Sequence, residues 1–167
     1  VRISGVTVWG SKHIGLLVGS GEVEVRNTWV VDSAFVGVEA EQSYSAPTTL
    51  WLESCELAGN VAAGILAKDP GPVVSLDDTV IRDTRSHADG KSGYGIDVYG
   101  GASVSARSCV LEENSAVGVL AFQAGTSIAL ADTIVRGTRP SDDGQHGFGL
   151  QVSEGAQLEA EGCTVEG

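Results

Sequence analysis

The ten residues VSLDDTVIRD at positions 74–83 decide the fold, because their pattern occurs seven times along the chain. Apolar and polar residues alternate on both sides of a short polar corner, and this period of two is typical of β-strands. Successive copies begin 22 to 30 residues apart. The seven copies occupy residues 1–10, 23–32, 50–59, 74–83, 104–113, 128–137 and 158–167.

A second motif lies between successive copies and consists of glycine followed by an apolar, a variable and an apolar residue. It reads GLLV at 15–18, GVEA at 37–40, GILA at 64–67, GIDV at 95–98, GVLA at 118–121 and GLQV at 149–152. Each repeat therefore contains three short strands, namely this motif and the two halves of the ten-residue pattern. Three strands in a repeat of this length predict an all-β parallel β-solenoid with three parallel sheets and about six to seven coils.

Aligning the copies produces columns of similar residues that are expected to face the core. One column contains only Val, Leu and Ile, and it comprises Val1, Val23, Leu50, Val74, Val104, Ile128 and Leu158. Another comprises Val6, Thr28, Cys55, Thr79, Cys109, Thr133 and Cys163. With these columns the whole chain resembles the right-handed parallel β-helix repeat proteins of the pectate-lyase-like superfamily. That resemblance implies the fold but no particular activity, because the architecture hosts many functions.

Charged residues test this alignment independently. One outward position carries charges that alternate in sign from coil to coil, at Arg82, Glu112, Arg136 and Glu166. Neighbouring coils lie about 4.8 Å apart, so equivalent residues form cross-strand pairs. A shift of one residue would bury these charges, and the alternation therefore supports the register.

Length and charge limit the classes of function. The 167 residues carry 22 acidic and 10 basic side chains, and the net charge of −12 argues against nucleic-acid binding. Apolar runs are only a few residues long, so no membrane-spanning segment is predicted. We expect a single β-helix domain over 1–167 that is part of a longer protein, and the resemblance implies an extracellular or cell-surface location. Its uncapped coils are expected to stack end to end on neighbouring molecules.

The three cysteines are spaced 54 residues apart, which places them two coils from one another in one inward column. Two coils correspond to about 9.6 Å, whereas a disulfide needs Cα atoms within about 7 Å. Threonines occupy the coils between them. We therefore predict buried, reduced and metal-free cysteines that fill the core.

Two long loops, 84–94 and 138–148, are the predicted ligand-binding site. They leave the same corner two coils apart, so they are expected to lie against each other. Two alternatives stay open, namely purely structural loops built on Asp-Gly turns and a calcium site that uses the Asp oxygens. Because no Asp-x-Asp-x-Asp-Gly spacing is present, we predict no metal or other cofactor, with calcium as the alternative. The candidate ligand-binding residues are Arg85, His87, Asp89, Arg139, Asp142, Asp143 and His146.

Each loop ends on an aromatic residue, Tyr94 or Phe148. These rings are expected to enter an inward column with Ile14, Val36, Ala63 and Val117 and to anchor the loops in the core. Their burial would order loop segments that are rich in glycine.

A pair of acidic residues, Glu39 and Asp97, shares an outward column with Leu66 between them. Their separation of about 9.6 Å is at the edge of the range found in inverting glycosidases. The interposed leucine favours two ordinary surface charges instead. The resemblance does not reach the catalytic motifs of polygalacturonases, because Gly-Asp-Asp and Gly-His-Gly are not intact here and Arg-Ile-Lys is absent, so no catalytic residue is predicted.

The sequence therefore favours a non-enzymatic, secreted or cell-surface β-helix scaffold. Its expected role is adhesion, or the binding of a ligand through loops 84–94 and 138–148, with a carbohydrate or another surface protein as the partner. The alternative is a polysaccharide lyase or glycoside hydrolase whose active site lies in the loop pair or outside these residues. A groove of stacked acidic residues beside a Lys or Arg would favour the enzyme, and the sequence shows none.

Overall fold

The computed structural model describes residues 1–43 and 46–167, and these residues form twenty strands in three sheets. The first sheet contains β1 (Arg2–Ser4), β4 (Gly21–Arg26), β7 (Thr48–Glu53), β10 (Val73–Asp77), β13 (Ser103–Arg107), β16 (Ser127–Ala131) and β19 (Gln157–Glu161). The second contains β2 (Thr7–Trp9), β5 (Trp29–Val31), β8 (Glu56–Ala58), β11 (Val80–Arg82), β14 (Val110–Glu112), β17 (Ile134–Arg136) and β20 (Thr164–Glu166). The third contains β3 (Leu16–Val18), β6 (Val36–Ala40), β9 (Ala63–Ala67), β12 (Tyr94–Tyr99), β15 (Val117–Phe122) and β18 (Phe148–Ser153).

All neighbouring strands within a sheet are parallel, because each pairs with the equivalent strand of the next coil. The predicted all-β architecture with three parallel sheets is confirmed, and sheets of seven, seven and six strands agree with six to seven coils. The register is also as predicted, since Val74 pairs with Val104 and Arg82 pairs with Glu112. Among the alternating charges, Arg136 and Glu112 form an ion pair at 2.6 Å, whereas Arg82 pairs with Glu56 of the preceding coil. Within the described residues no helix is long and apolar enough to cross a membrane.

The interior is a stack of side chains in which equivalent residues of successive coils meet. Cys55 and Cys109 are buried free thiols, whereas Cys163 is a half-buried free thiol because no further coil of the described residues packs on it. Between the first two, the hydroxyl group of Thr79 donates to the carbonyl oxygen of Asp77 at 3.0 Å. Burial raises the pKa of Cys109 to about 11, so this thiol stays protonated at neutral pH.

A single residue in the left-handed conformation turns the chain from the first sheet into the second. The φ angles at this corner lie between 47° and 53° at Asn27, Ser54, Asp78, Ser108 and Asp132, and glycine occupies the position in the first and last coils. Asn, Asp and glycine adopt this conformation most readily, and a short serine is accommodated here as well. This backbone requirement explains why the column contains only small polar residues and glycine.

The glycine of the second motif faces the interior. A Cβ atom on Gly64 would lie 2.4 Å from Cγ2 of Ile81 and 2.8 Å from the carbonyl oxygen of Gly95, so no larger side chain fits. The residue before the glycine therefore points outward. The expectation that Tyr94 and Phe148 enter the core is wrong, since Phe148 is 50% exposed and Tyr94 packs in clusters separate from the main core. Their column on the outer face also contains Val36, Ala63 and Val117.

Buried asparagines complete the corner between the second and third sheets. Oδ1 of Asn114 accepts a hydrogen bond from the N–H of Thr84 at 3.1 Å, and its Nδ2 donates to the carbonyl oxygen of Ile81 at 3.0 Å. Asn60 repeats this arrangement one pair of coils earlier. These amides provide partners for backbone groups that would otherwise be buried without any.

Replacing Asn114 by alanine is expected to lower the free energy of unfolding by about 2–4 kcal/mol, because two buried backbone groups lose their partners. Urea denaturation of wild type, Asn114→Ala and the exposed control Gln157→Ala measures this difference. The control is expected to change the free energy by less than about 0.5 kcal/mol. An Asn114→Ala variant as stable as the control would contradict the structural role of the amide.

Candidate functional site

The outer face of the third sheet contains two buried acidic residues. One of its columns runs from coil to coil through Leu17, Glu39, Leu66, Asp97, Leu120 and Gln151. The expectation of surface charges is wrong, because Glu39 is only 3% exposed and Asp97 only 9%. Leu66 and Leu120, on either side of Asp97, are also buried. Apolar packing on this face therefore removes both carboxyl groups from water.

Aromatic rings flank Asp97. Tyr94 packs against the apolar clusters on both sides of it. Tyr99 lies two residues further along the same strand and stacks on Phe122, with ring centroids 4.8 Å apart. Oδ1 of Asp97 has no hydrogen-bond partner among the residues that the structure describes. A buried acceptor without a partner is rare in folded proteins, so this carboxyl group requires an explanation.

Burial raises the pKa of Asp97 to about 7 from an ordinary value of 3.8. The cause is desolvation, which disfavours the charged carboxylate. Near neutral pH the group therefore exchanges between a neutral acid and an anion. Titratable groups with such shifts are concentrated at functional sites, although structural networks also produce them.

Glu39, two coils from Asp97, has a different electrostatic environment. Its Oε1 atom lies 2.6 Å from Nζ of Lys68, and the same ammonium group lies 3.0 Å from Oε2 of Glu41. The hydrogen bond with Glu39 raises the pKa of Lys68, and Glu41 adds to the effect. Lys68 therefore compensates the charge of Glu39, whereas Asp97 has no ion-pair partner in the described part of the chain.

The two long loops lie against each other, as expected. The N–H of Asp142 donates to Oγ of Ser86 at 3.1 Å, and the N–H of Asp143 donates to the carbonyl oxygen of Gly90 at 3.2 Å. Each loop also closes a turn of its own, at Gly90 and at Gly144. The loops therefore form one projection at the corner between the second and third sheets.

Arg85 and Arg139, two of the predicted ligand-binding residues, hold the corner below the loops. The guanidinium group of Arg85 donates to the carbonyl oxygen of Gly59 and lies 3.3 Å from Oδ1 of Asp32. Arg139 repeats the contact one pair of coils later and donates to the carbonyl oxygen of Glu113 at 2.9 Å. Both guanidinium groups are partly exposed, but each already has structural partners.

The two loop histidines each lie edge-on to a phenylalanine. The ring of His87 meets Phe35 at a centroid distance of 5.5 Å, and its Nδ1 lies 3.7 Å from Oδ1 of Asp89. His146 meets Phe148 at 6.0 Å. Both loop imidazoles therefore contact a phenyl ring at the edge of the outer face of the third sheet.

The carboxylate of Asp143 stabilises the turn of the second loop. Oδ1 of Asp143 accepts hydrogen bonds from Oγ of Ser141 at 2.7 Å and from the N–H of Gln145 at 3.0 Å. The bond from Ser141 is the main cause that lowers the pKa of Asp143, and the bond from Gln145 adds to it. Across residues 1–43 and 46–167, no group of three or more His, Cys, Asp or Glu side chains is arranged to hold a metal ion. The calcium alternative therefore gains no support from the loop geometry.

The sequence already indicated that Asp97 is buried, although we had interpreted this residue as a surface charge. Its cross-strand neighbours in both adjacent coils are leucines, Leu66 and Leu120. A residue between two leucines on a sheet face shares their environment, and here that environment is buried. An acidic residue in such a row is the feature that marks the site.

The stability of the protein is expected to fall as Asp97 ionises. Its pKa is raised in the folded state, so the folded protein binds this proton more tightly, and stability is lost as the pH rises from about 4 to about 7. Relative to Asp97→Asn, which does not titrate, wild type should lose about 2–3 kcal/mol between about pH 5 and about pH 8. Urea unfolding at both pH values measures this, with the exposed loop variant Asp142→Asn as control. A wild-type protein that follows Asp97→Asn at both pH values would contradict the burial of the acid.

Calcium is expected to leave the thermal midpoint of unfolding unchanged, because the Asp143 carboxylate is already hydrogen-bonded within its turn. Asp143→Ala should lower the midpoint through loss of those bonds, but equally with and without calcium. Differential scanning calorimetry of both proteins with calcium or with a chelator measures the response. A calcium-dependent rise in wild type that is lost in Asp143→Ala would show that the loops bind the ion.

Comparisons with known proteins agree with this architecture. A solved structure, the crystal structure of the periplasmic alginate epimerase AlgG, is similar to the chain with a TM-score of 0.69 and 14% sequence identity. The similarity covers 98% of this chain but 39% of AlgG, and at this identity it shows the fold alone. No curated protein matches the sequence. The family model of the right-handed beta helix region matches residues 1–165, and the chain therefore belongs to the right-handed β-helix family.

Proposed function

We propose that the chain is a non-enzymatic, carbohydrate-binding scaffold in which the outer face of the third sheet and the adjoining loops 84–94 and 138–148 contact the glycan. The observation that carries the proposal is the Asp97 carboxyl group, which is buried between two leucines with one oxygen atom unpartnered in the described structure. This oxygen atom is shielded from solvent, so a sugar hydroxyl group would supply the missing hydrogen bond once Leu66, Leu120 or a neighbouring ring moves aside.

The position of Asp97 costs stability. A leucine there would continue the row formed by Leu66 and Leu120 and would remove a buried, unpartnered acid. A residue that lowers stability and interrupts a regular local pattern is often a functional residue. Asp97 is therefore better explained by a ligand than by packing.

The side chains around Asp97 combine rings and polar groups in the mixture that sugar binding needs. The stacked pair Tyr99 and Phe122 is partly exposed and offers aromatic surface to the apolar C–H face of a sugar. The exposed Asp89, Asp142 and His146 on the loops offer hydrogen-bonding groups. A glycan on this face would therefore meet both kinds of surface.

The structural likeness to a periplasmic alginate epimerase supports a carbohydrate ligand and a location outside the cytoplasm. A location outside the cell or on its surface is part of this proposal, and the periplasmic location of that neighbour is its support. Recognition of another surface protein and end-to-end stacking of coils stay predictions.

An enzyme that acts on a polysaccharide, whether lyase, hydrolase or epimerase, is the second candidate. The observation that favours it is the pKa of Asp97, which at about 7 suits a general acid or base. Glycoside hydrolysis by the usual route needs a second carboxyl group. Glu39 is separated from Asp97 by Leu66 and is compensated by Lys68. Binding is therefore the preferred function.

Asp97→Leu is expected to raise the thermal midpoint of unfolding and to weaken glycan binding by at least about tenfold. The leucine extends the apolar row, but it removes the carboxyl group that the sugar would contact. Titration calorimetry with neutral and uronate oligosaccharides, including alginate oligosaccharides, measures binding, and scanning calorimetry measures the midpoint. Glu166→Leu changes an exposed acid on the second sheet and is expected to bind like wild type.

The proposal fails if wild type binds none of these saccharides, or if Asp97→Leu retains the wild-type affinity for every saccharide that wild type binds. Turnover would identify an enzyme instead. It would appear as new reducing ends, unsaturated ends or altered uronate composition in the incubated saccharides, and it would disappear in Asp97→Asn.

A further inference from the structure

A groove runs along the outer face of the first sheet, on a different side of the β-helix from Asp97. Its volume is about 830 Å³, and it is lined by residues from all seven strands of that sheet, from Arg2 in β1 to Glu161 in β19. Six strand intervals correspond to a length of about 29 Å. An open groove of this length fits an extended polymer better than a compact small molecule.

The floor of the groove is flat and carries hydroxyl groups. Its central residues in three successive coils are Ser75, Ser105 and Ala129, and larger side chains, Trp51 and Glu159, stand in the coils on either side. Oγ of Ser105 donates to Oγ of Ser75 at 3.2 Å. Because a hydroxyl group has one donor and two acceptor positions, this pair retains hydrogen-bonding capacity for a ligand.

Trp51 adds an aromatic surface to one end of this floor. It pairs in register with Ser75, and its side chain is 39% exposed. It forms no ring–ring contact within the described part of the chain. An indole ring beside hydroxyl groups matches a sugar, which presents an apolar C–H face and a polar rim.

The charges of the groove disfavour an acidic polymer. Six acidic side chains and three arginines line it, so an acidic polysaccharide would be repelled. At the Trp51 end, Glu24 and Glu53 already form ion pairs with Arg2 and Arg26. The other four acids of the lining, Glu22, Asp77, Glu159 and Glu161, form no ion pair within the described residues, so a basic peptide is the rival occupant that hexalysine tests.

Arg107 is the cation that stays available in the middle of the groove. It faces Asp77 across the sheet in register, yet it forms no ion pair within the described residues. Its guanidinium group carries five N–H donors, which bond neutral hydroxyl oxygens as well as carboxylates. The groove is therefore lined by hydroxyl groups, an indole ring and a guanidinium group that has no ion-pair partner within the described residues.

We infer that this groove binds a neutral polysaccharide chain that lies along the axis of the β-helix. One sugar ring stacks on Trp51, and the following sugars bond to Ser75, Ser105 and Arg107. This site is independent of the one proposed around Asp97, and its acidic lining excludes uronate polymers.

Cellohexaose and mannohexaose are the neutral probes, and an alginate hexasaccharide and hexalysine are the charged comparisons. Trp51→Ala and Ala129→Tyr, which fills the floor, are each expected to raise the Kd for a neutral probe by at least about tenfold. Trp29→Ala is the matched control, because Trp29 is 45% exposed but lies on the second sheet outside the groove. Titration calorimetry measures affinity, and the thermal midpoint of each variant verifies folding.

The variant Asp97→Leu distinguishes the two proposed sites, because it should leave binding of the neutral probes in the groove unchanged. The inference is overturned if neither neutral probe binds wild type at millimolar concentration, or if Ala129→Tyr binds as well as wild type. It is also overturned if Trp29→Ala weakens binding as much as Trp51→Ala does. Tighter binding of the alginate hexasaccharide or of hexalysine than of both neutral probes would make the groove a charged-polymer site and would overturn it as well.

Discussion

The close stacking of equivalent residues in successive coils, about 4.8 Å apart, determines the rest of the structure. Each inward side chain meets its equivalents in the neighbouring coils, so each column holds residues of similar size. The third sheet also approaches the second so closely that Gly64 lies against Ile81, with no space for a Cβ atom. This contact turns the preceding residue outward and thereby creates the apolar outer face on which Asp97 lies.

Repetition made the fold predictable and also explains the one error of orientation. The period of two assigned the inward columns of the first and second sheets, the corner residues and the outward charged positions. It failed at the glycine motif because Gly64 and the fully buried Ile65 both face the interior, which reverses the parity for Ala63 and Tyr94. Strict alternation contains no information about such a shift, which depends on how closely two sheets approach.

The loops were predictable in position but not in their contacts. Equal spacing placed both at one corner, and hydrogen bonds from Asp142 and Asp143 join them. The sequence could not show that Arg85 and Arg139 bond to carbonyl groups of the underlying turns, because those partners lie 26 residues away along the chain. Asp97 was readable in principle, since its leucine neighbours follow directly from the alignment.

The outward positions of a β-helix are far less constrained than the inward ones, and this difference explains how one repeat supports two unlike surfaces. Each coil adds one residue to each outward column, so any site on a sheet face grows along the axis in steps of one coil. An outward column of the third sheet contains Asp97 within an apolar row. An outward column of the first sheet contains Ser75 and Ser105 beside Trp51. A linear array of equivalent positions matches a ligand that is itself a repeating chain. For that reason polymer binding follows more directly from this architecture than binding of a compact molecule.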